Sequence, residues 1–550
     1  MIASNFDMKK RESGIVMIIC LALLLILSLI GLSSILTSNS DMQISGNEMN
    51  HTGAFYAAES GIEKAAASIA TSYETVGAPP SPLPCETLTD NKYKYTYITT
   101  DMGAATQTTL NKGIYKGLYG LVKTFQISSV GFDTNGEAGV NLHLGMQDAL
   151  VPLFQFAVFY EQDLEIAPGP NMILGGRVHS NHNTYLQANN NLNIDSYLSA
   201  AGDIIHGRKP GSGQSESDGN VFIKDMNGVY QNMKNADNSW LDSRSHDWVA
   251  NSLARWGGLV QDRSHEVSEM YLPVVTNGPT TNLIDRATNN ADSYENKAGL
   301  KIVDNQALYL QADGSWRDIT TDPGFTAAVT YGSFHDGREN KDVTSLDIDL
   351  QKLGDAHLYP SNGIIYASVP TGGGTLSAVR LKNGSTLQRS LTVATNNPLY
   401  TQGNYNTINK KPSAFLADAI TVLSGNWSDA NSRRSLDYRN ATATTVNASF
   451  LTGNTETGAH GQGYNGGLEN LVRFLEKWDG ITYNWKGSAV DLWYSRQATA
   501  AWSYGSYYTA PNRDWTFDND LLHIENLPPG TPLVNIIQRM DWKEQLYSAR

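Results

Sequence analysis

The sequence is poor in cysteine and lacks several of the short motifs that mark catalytic or metal-binding sites. It has two cysteines: Cys20 lies in an apolar run and Cys85 in a proline-rich stretch. Two such thiols exclude a disulfide framework and a cysteine-based zinc site. No G-x-S-x-G, Walker or EF-hand pattern occurs. We therefore predict no enzymatic activity, no cofactor and no bound metal.

Basic charge is also scarce. The chain has 40 Lys and Arg against 54 Asp and Glu, and charged residues make up 17% of it. Three basic and two acidic residues precede Leu36, so the rest carries 37 positive and 52 negative charges, a net charge of −15. Such a body repels phosphate backbones, which predicts no nucleic-acid partner. The 49 glycines, 27 tyrosines and 11 tryptophans favour a mainly β body with many turns.

One long apolar run lies near the N-terminus. Residues 15–36 are 22 residues without a charge, and a helix of that length spans about 33 Å, enough to cross a bilayer core. Lys9, Lys10 and Arg11 come just before it, so the positive-inside rule keeps the N-terminus in the cytoplasm and sends the body across the membrane. The alternative is a cleaved secretory signal, which has a shorter apolar core and a small-residue cleavage site. We predict a retained single-pass anchor.

The helix is predicted to continue beyond the membrane over residues 37–70 as one spine. A stripe of apolar residues follows a helical period there, formed by Phe55, Ala58, Ile62, Ala65 and Ile69. Gly46 and Gly53 weaken a helix by about 1 kcal/mol each without excluding it. The alternative is two helices with a loop at 45–53.

This N-terminal segment resembles that of PilX-type minor pilins, the type 4 fimbrial biogenesis family. The resemblance covers residues 1–70 and rests on the basic leader 1–14, the Gly14–Ile15 junction, the apolar helix and the sequence ISGNEMNHTGAFYAAESGIEKA at 44–65. It implies a structural subunit of a type IV pilus or pseudopilus in the bacterial inner membrane. Its body would lie in the periplasm or on a pilus, and other pilins or pilus assembly proteins would be its partners. It also implies that a prepilin peptidase cuts after Gly14 and methylates Ile15.

One residue departs from the pattern of shaft pilins. They carry a glutamate five residues into the mature chain, where this sequence has Ile19. In shaft pilins that carboxylate pairs with the N-terminal amine of a neighbouring subunit, since an unpaired carboxylate in a bilayer is costly. Tip-located pseudopilins also lack it, because no subunit lies above them. The absence of this glutamate and the large size of the body after residue 70 predict a tip or low-copy position. A subunit at the tip needs only one face that contacts other subunits.

The exported body divides into four predicted parts. Closely spaced prolines end the spine and predict a linker over 71–92. Three strand-like runs predict a pilin-like antiparallel sheet over 93–150. Short apolar runs separated by Gly, Asn or Asp have the rhythm of a β-solenoid over 151–297. Further strand runs extend a solenoid-like region over 298–550.

Two finer predictions concern this body. The sequence PGPNMILGGRVHSN, at 168–181, resembles part of a domain of unknown function of the DUF4900 type. Helices are predicted as an insert at 239–257 and at 468–478, where Trp or Leu residues partly follow a helical stripe.

Two groups of polar residues contain side chains that could take part in chemistry. His179 and His182 lie near carboxylates, but their spacing is not the i, i+4 pair that aims two rings at one metal, and exposed turn histidines are predicted. The segment 334–339 contains His, Asp, Arg and Glu, which an acid–base pair could use, but an Asp-Gly turn after a strand explains it as well.

Aromatic residues are dense over 478–517. Ile481, Tyr483 and Trp485 alternate with polar residues, which favours a half-buried strand and core packing. The alternative is an exposed aromatic surface with Trp485, Trp493 and Trp502, which could stack on sugars or meet a protein. That would suit a pilin-anchored β-solenoid adhesin with surface polysaccharide as its partner. A third hypothesis, polysaccharide cleavage, needs carboxylates or basic residues clustered on one solenoid face.

Overall fold

The computed structural model describes residues 9–90, 92–133, 139–273, 278–370, 372, 374–458 and 463–545. Side chains are described from Gly14 onward, apart from that of Asp90. The topology residues Lys9, Lys10 and Arg11 thus have a described backbone only, and most of the predicted leader lies outside the described residues.

A single helix opens the chain. α1 runs without a break over Lys9–Val76, so the alternative with a loop at 45–53 is wrong. The predicted stripe lies against the first sheet: Ala58, Ile62, Ala65 and Ile69 are at most 1% exposed, and Phe55 packs at the edge of the same cluster. The helix approaches closely because Gly131 has no side chain, and a Cβ there would lie 2.0 Å from the carbonyl oxygen of Ala54.

The sheet that receives this helix is antiparallel, and we call this sheet and the helix half packed on it the head. Its strands are β1 Cys85–Asp90, β2 Tyr93–Asp101, β3 Thr106–Thr109, β4 Tyr119–Asp133 and β5 Gly139–Pro152. The order is β1-β2-β4-β5, with β3 paired to β4, and the last strand of the chain, β34 Leu533–Gln545, pairs with β5. Two boundaries are thereby corrected: the predicted linker 71–92 contains the helix end and β1, and the C-terminal region 298–550 ends in the head. Nothing local in the sequence marks a pairing between strands this far apart.

The first half of the body coils. Its elements are β6 Phe156–Tyr160, β7 Leu164–Ile166, β8 Met172–Leu174, β9 Arg177–Ser180, β10 Thr184–Leu186, β11 Asn191–Ile194, β12 Leu198–Ala200, β13 Ile204–His206, β14 Asn220–Lys224, β15 Tyr230–Asn232, α2 Trp248–Trp256 and β16 Val260–Gln261. Each pass adds one parallel strand to each of three sheets, β6-β9-β12-β16, β7-β10-β13 and β8-β11-β14. Leu164 pairs with Thr184 and Thr184 with Ile204, so one coil takes 20 residues.

The second half coils in the same way after α3 Tyr294–Lys297. Its elements are β17 Leu300–Val303, β18 Gln306–Leu310, β19 Trp316–Asp318, α4 Pro323–Ala328, β20 Val329–Asp336, β21 Lys341–Asp349, α5 Leu350–Asp355, β22 Ile364–Ser368, β23 Leu376–Lys382, β24 Leu391–Ala394, β25 Leu399–Gln402, β26 Ser413–Ala417, β27 Ile420–Leu423, β28 Thr444–Asn447, β29 Ser449–Asn454, β30 Val472–Phe474, β31 Thr482–Gly487, β32 Ala489–Tyr494 and β33 Asn512–Phe517. Parallel strands again stack coil on coil, but 22 residues separate the paired Leu391 and Ser413 and 39 separate Phe450 and Ala489. This irregular length explains why no strict period is visible in the sequence.

The two halves form one stack because β32 pairs in parallel with β6. In space the long sheet runs β17-β22-β24-β26-β29-β32-β6-β9-β12-β16. The chain therefore enters the stack at its middle, coils to one end, returns through residues 262–299 (the strap) to the other end, and coils back to the middle. The structure confirms the predicted class, a long N-terminal helix followed by a mainly β body.

Both predicted body helices need correction. In the insert at 239–257 only Trp248–Trp256 is helical, and Asp247 before it has a left-handed backbone with φ 53°. The segment 468–478 begins with a short 3-10 turn, Leu468–Asn470, and continues as strand β30. In the sequence, its charged residues have the spacing of a solvent-exposed helix face, which is why the pattern predicts a helix. In the structure they lie inside, because Arg473 and Glu476 are 2% and 0% exposed and both have partners.

Glu476 gives the coils a pH-dependent contribution to stability. Its carboxylate accepts hydrogen bonds from the Ser424 backbone N–H (2.6 Å) and hydroxyl (2.7 Å), and burial raises its pKa to about 7. A raised pKa means that the folded chain holds this proton when the unfolded chain has lost it. The stabilisation is therefore complete below about pH 4.5 and is lost as pH rises to about 7.

We expect Glu476→Gln to flatten this dependence. Between about pH 4.5 and 7, folding of the wild-type chain takes up as much as one proton at Glu476, and folding of the variant should not. The slope of the free energy of unfolding against pH, from denaturant unfolding of the full chain in detergent micelles, measures the difference. Glu525→Gln, at an exposed glutamate, is the control and should leave the slope unchanged. An unaltered slope in Glu476→Gln would contradict the assignment.

Candidate assembly surface

The first half of α1 is a free apolar rod. Its large apolar side chains between Ile15 and Leu36 are at least 51% exposed, and the helix is long and apolar enough to cross a membrane by length and composition. So much exposed apolar surface requires a bilayer or other helices around it. The rod therefore has the properties of a membrane anchor.

The predicted processing site lies on this rod. A Cβ at Gly14 would meet no atom within 4 Å, and Ile15 is 61% exposed. Ile19, at the position where shaft pilins have a glutamate, is 52% exposed. The sequence has no acidic residue between Gly14 and Asp41, so the membrane part of the rod offers no carboxylate to a neighbouring amine.

A polar helical stretch separates the membrane part from the head. Residues 37–49 are almost all exposed, and the ring of His51 lies 3.8 Å from the Glu544 carboxylate of β34, at the point where the helix reaches the head. The free rod from Gly14 to Asn50 is about 55 Å long at 1.5 Å per residue. It can span a bilayer and still hold the head away from the lipid surface.

The C-terminal strand contacts the other half of the helix at the edge of the head. Arg539 donates two hydrogen bonds of 2.6 Å to the Glu63 carboxylate, which holds the pKa of Glu63 below its ordinary value. Trp542 lies edge-on to Phe55 with 5.9 Å between ring centroids. The exposed ion pair contributes little by itself, so the burial of the apolar stripe of α1 against β2, β4 and β5 carries most of the attachment.

The three tryptophans of the predicted aromatic surface do not form one. Trp485 and Trp493 are 5% and 4% exposed, and the Trp485 indole stacks on Phe450 and donates a hydrogen bond to the Ala448 carbonyl (2.9 Å). Trp502 is half-buried and its indole N–H donates to the Tyr508 hydroxyl (2.7 Å). The favoured interpretation, core packing, fits these positions, because Trp485 lies on the buried side of the alternating strand β31.

The prediction that His179 and His182 are both exposed turn residues is wrong for His179. His179 lies in β9 and is fully buried, with hydrogen bonds to the Ser199 hydroxyl (2.8 Å) and the Asn181 side-chain oxygen (3.1 Å). Burial lowers its pKa to about 4, so the ring is neutral at pH 7. His182 is exposed, as predicted. The two do not share one environment, and His179 acts in packing.

The segment 334–339 forms the predicted turn, between β20 and β21, but its charges are buried. Glu339 lies 2.8 Å from Arg473, and Arg338 donates a hydrogen bond to the Asn470 side chain (3.1 Å). Burial lowers the pKa of Arg338 to about 10 and raises that of Glu339. The partner Arg473 is 134 residues away in sequence, so sequence patterns could not reveal this polar core.

Comparison with known proteins agrees with the geometry of the rod. Residues 13–63 match the PilX N-terminal family, so the N-terminal segment is similar to that of this family. The crystal structure of the competence-associated pilin ComZ from Thermus thermophilus aligns with 91% of this chain and 98% of its own, at 13% identity and a TM-score of 0.29. None of the curated proteins matches the chain. The family match ends at residue 63, so the DUF4900-type resemblance stays a prediction.

Proposed function

We propose that this protein, which carries a PilX-type N-terminal segment, is a minor pilin with a structural role in type IV pilus or pseudopilus assembly. The main observation behind the proposal is that the matched residues 13–63 cover the exposed rod and the beginning of the half of α1 that packs on the head. The rod lets the subunit wait in the bilayer and later pack among the helices of like subunits. Other pilins and assembly proteins are therefore the expected partners.

The proposed site is the bacterial inner membrane, with the N-terminus in the cytoplasm and the head and coils on the other side. The three basic residues before the rod support this orientation. The proposed place in the filament is the tip or another low-copy position. Ile19 provides no carboxylate for a subunit above, and the coiled body is too bulky to repeat along a thin shaft.

Processing at Gly14 is the first test. We expect mass spectrometry of the protein from membranes to find a chain that begins at Ile15 with a methylated amine. Gly14→Val should leave the leader attached, because the junction no longer has the residue after which the peptidase cuts. A native chain that begins between the rod and the head, found in the soluble fraction, would contradict an anchored pilin.

Assembly is the second test. Sheared pilus preparations should contain this protein at low copy number together with other minor pilins. Its absence from them, with normal piliation in a deletion strain, would contradict the proposal. The adhesin hypothesis has lost the support of Trp485 and Trp493, which are buried.

A further inference from the structure

A cleft of about 790 Å³ lies between the spine helix and the body. One wall is the side of α1 that carries Glu63, Ala67, Ala70 and Glu74, and the opposite wall is Gln261 at the end of β16 with strap residues 263–271. The floor is the edge of β34 at 535–539. We call this the spine cleft. A second cavity, of about 360 Å³, shares Glu74 and Tyr271 with it and extends it toward the end of the helix.

The floor of the spine cleft is an unpaired sheet edge. β34 pairs with β5 on one side, and on the other the Asn535 N–H donates to the Tyr271 carbonyl (2.7 Å). Alternate residues of an antiparallel strand direct their N–H and C=O groups to the same side. Ile537 and Arg539 therefore also face the cleft, and among the described residues no other strand pairs with them. Such an edge is a template for an added strand.

The cleft carries a negative charge that the protein does not neutralise. Glu74, Glu266 and Glu269 line it and form no ion pair with any described residue. On the helix wall, Glu63 is neutralised by Arg539.

The two remaining basic residues of the cleft, Arg263 and His265, do not change this balance. Arg263 is held by Asp203 on the body, with Nε and Oδ1 2.7 Å apart. The His265 ring forms hydrogen bonds with the Asp262 carboxylate and with the Ser252 hydroxyl. Glu269 accepts a hydrogen bond from the Tyr271 hydroxyl (3.1 Å), which leaves its charge in place. The carboxylates of Glu74, Glu266 and Glu269 therefore determine the charge that an occupant would meet.

We propose that the spine cleft binds an extended basic segment of a partner protein, which adds a strand to the free edge of β34. Main-chain hydrogen bonds to Ile537 and Arg539 would supply affinity, and Lys or Arg side chains opposite the three carboxylates would supply selectivity. A strand residue occupies about 160 Å³, from its rise and its spacings to neighbouring strands and sheets. The cleft thus holds about five residues, and the small Ala67 and Ala70 leave this space open.

The test uses the full chain in neutral detergent micelles and a fluorescent eight-residue peptide of alternating Lys and Val. We expect saturable binding, at least tenfold weaker for the matching Glu–Val peptide. Two further peptides carry N-methyl groups on all Lys or on all Val residues, which removes the N–H groups of one strand edge. A tenfold loss in either version supports strand addition. Unchanged binding of both would overturn it.

Matched variants locate the site. Glu74→Gln, Glu266→Gln and Glu269→Gln together should weaken Lys–Val binding at least tenfold. Asp355→Asn, Asp479→Asn and Glu525→Gln remove three exposed charges elsewhere and should not. Equal losses would show general attraction to an acidic protein and would overturn the proposal. So would self-association of the chain that Ala67→Trp abolishes, because the occupant would then be a second copy.

Discussion

A chain that stops at Pro532 is expected to lose its folded head, although the deletion removes only residues 533–550. β34 pairs with residues 141–152 of β5, which is most of that strand, and Val534 and Ile536 are 0% and 2% exposed. Each of these side chains stabilises the fold by about 1.5–3 kcal/mol through burial. The lost ladder adds to this, so the total is comparable with the free energy of unfolding of a small domain, about 5–15 kcal/mol.

Limited proteolysis of the membrane-bound protein measures this effect. The truncated chain should be cut rapidly within 77–150, while the coiled stack, whose halves join through β32 and β6, stays resistant. A chain that stops at Gln545 keeps β34 whole and serves as the control. A truncated chain with a protease-resistant head would show that β34 is an accessory to a head that folds without it.

Prediction from the sequence succeeds where a local pattern alone determines the structure. The rod and the stripe of Ala58, Ile62, Ala65 and Ile69 could be predicted because they rest on local periodicity, which a helix converts directly into one buried face. The strand over 481–487 followed from alternation for the same reason.

The parts that could not be predicted depend on distant partners. β34 pairs with β5 across almost 400 residues, and β32 pairs with β6 across more than 300. Neither strand differs in composition from one that pairs with its neighbour in sequence. The candidate binding cleft has the same origin, because its walls come from the helix, the strap and the last strand. The sequence contains the residues of each wall, but no local pattern indicates that these three segments lie next to one another.

Buried charge caused the other errors. In 468–478 the residues Glu469, Arg473 and Glu476 are spaced so that they imitate the solvated face of a helix. Their carboxylates and guanidinium lie inside the coiled stack, where burial raises the pKa of Glu469 and of Glu476 to about 7. Polar residues are predicted outside because burial of a charge is costly, and here hydrogen bonds from other coils offset that cost.

The Arg473–Glu339 pair provides the second large effect. Both side chains are 3% exposed and lie 2.8 Å apart, and Arg473 also contacts the hydroxyls of Thr455 and Ser495. Arg473→Met is expected to lower the free energy of unfolding by about 3–5 kcal/mol, because it leaves a buried carboxylate without its partner. Denaturant unfolding of the full chain in micelles, followed by near-ultraviolet circular dichroism of the packed aromatic residues, measures the loss.

The double variant separates a lost partner from lost packing. Arg473→Met with Glu339→Leu removes both charges and should recover most of the stability, since an apolar pair of similar volume often replaces a buried ion pair without loss. Lys477→Met removes one partner of the exposed pair with Asp437 (2.8 Å) and should change little, because solvent screens it. If the double variant were as unstable as Arg473→Met alone, the loss would come from packing and from the Thr455 and Ser495 contacts. The pair joins β30 to the turn after β20, so recovery would show that two coils far apart in sequence are held in register by shape more than by charge.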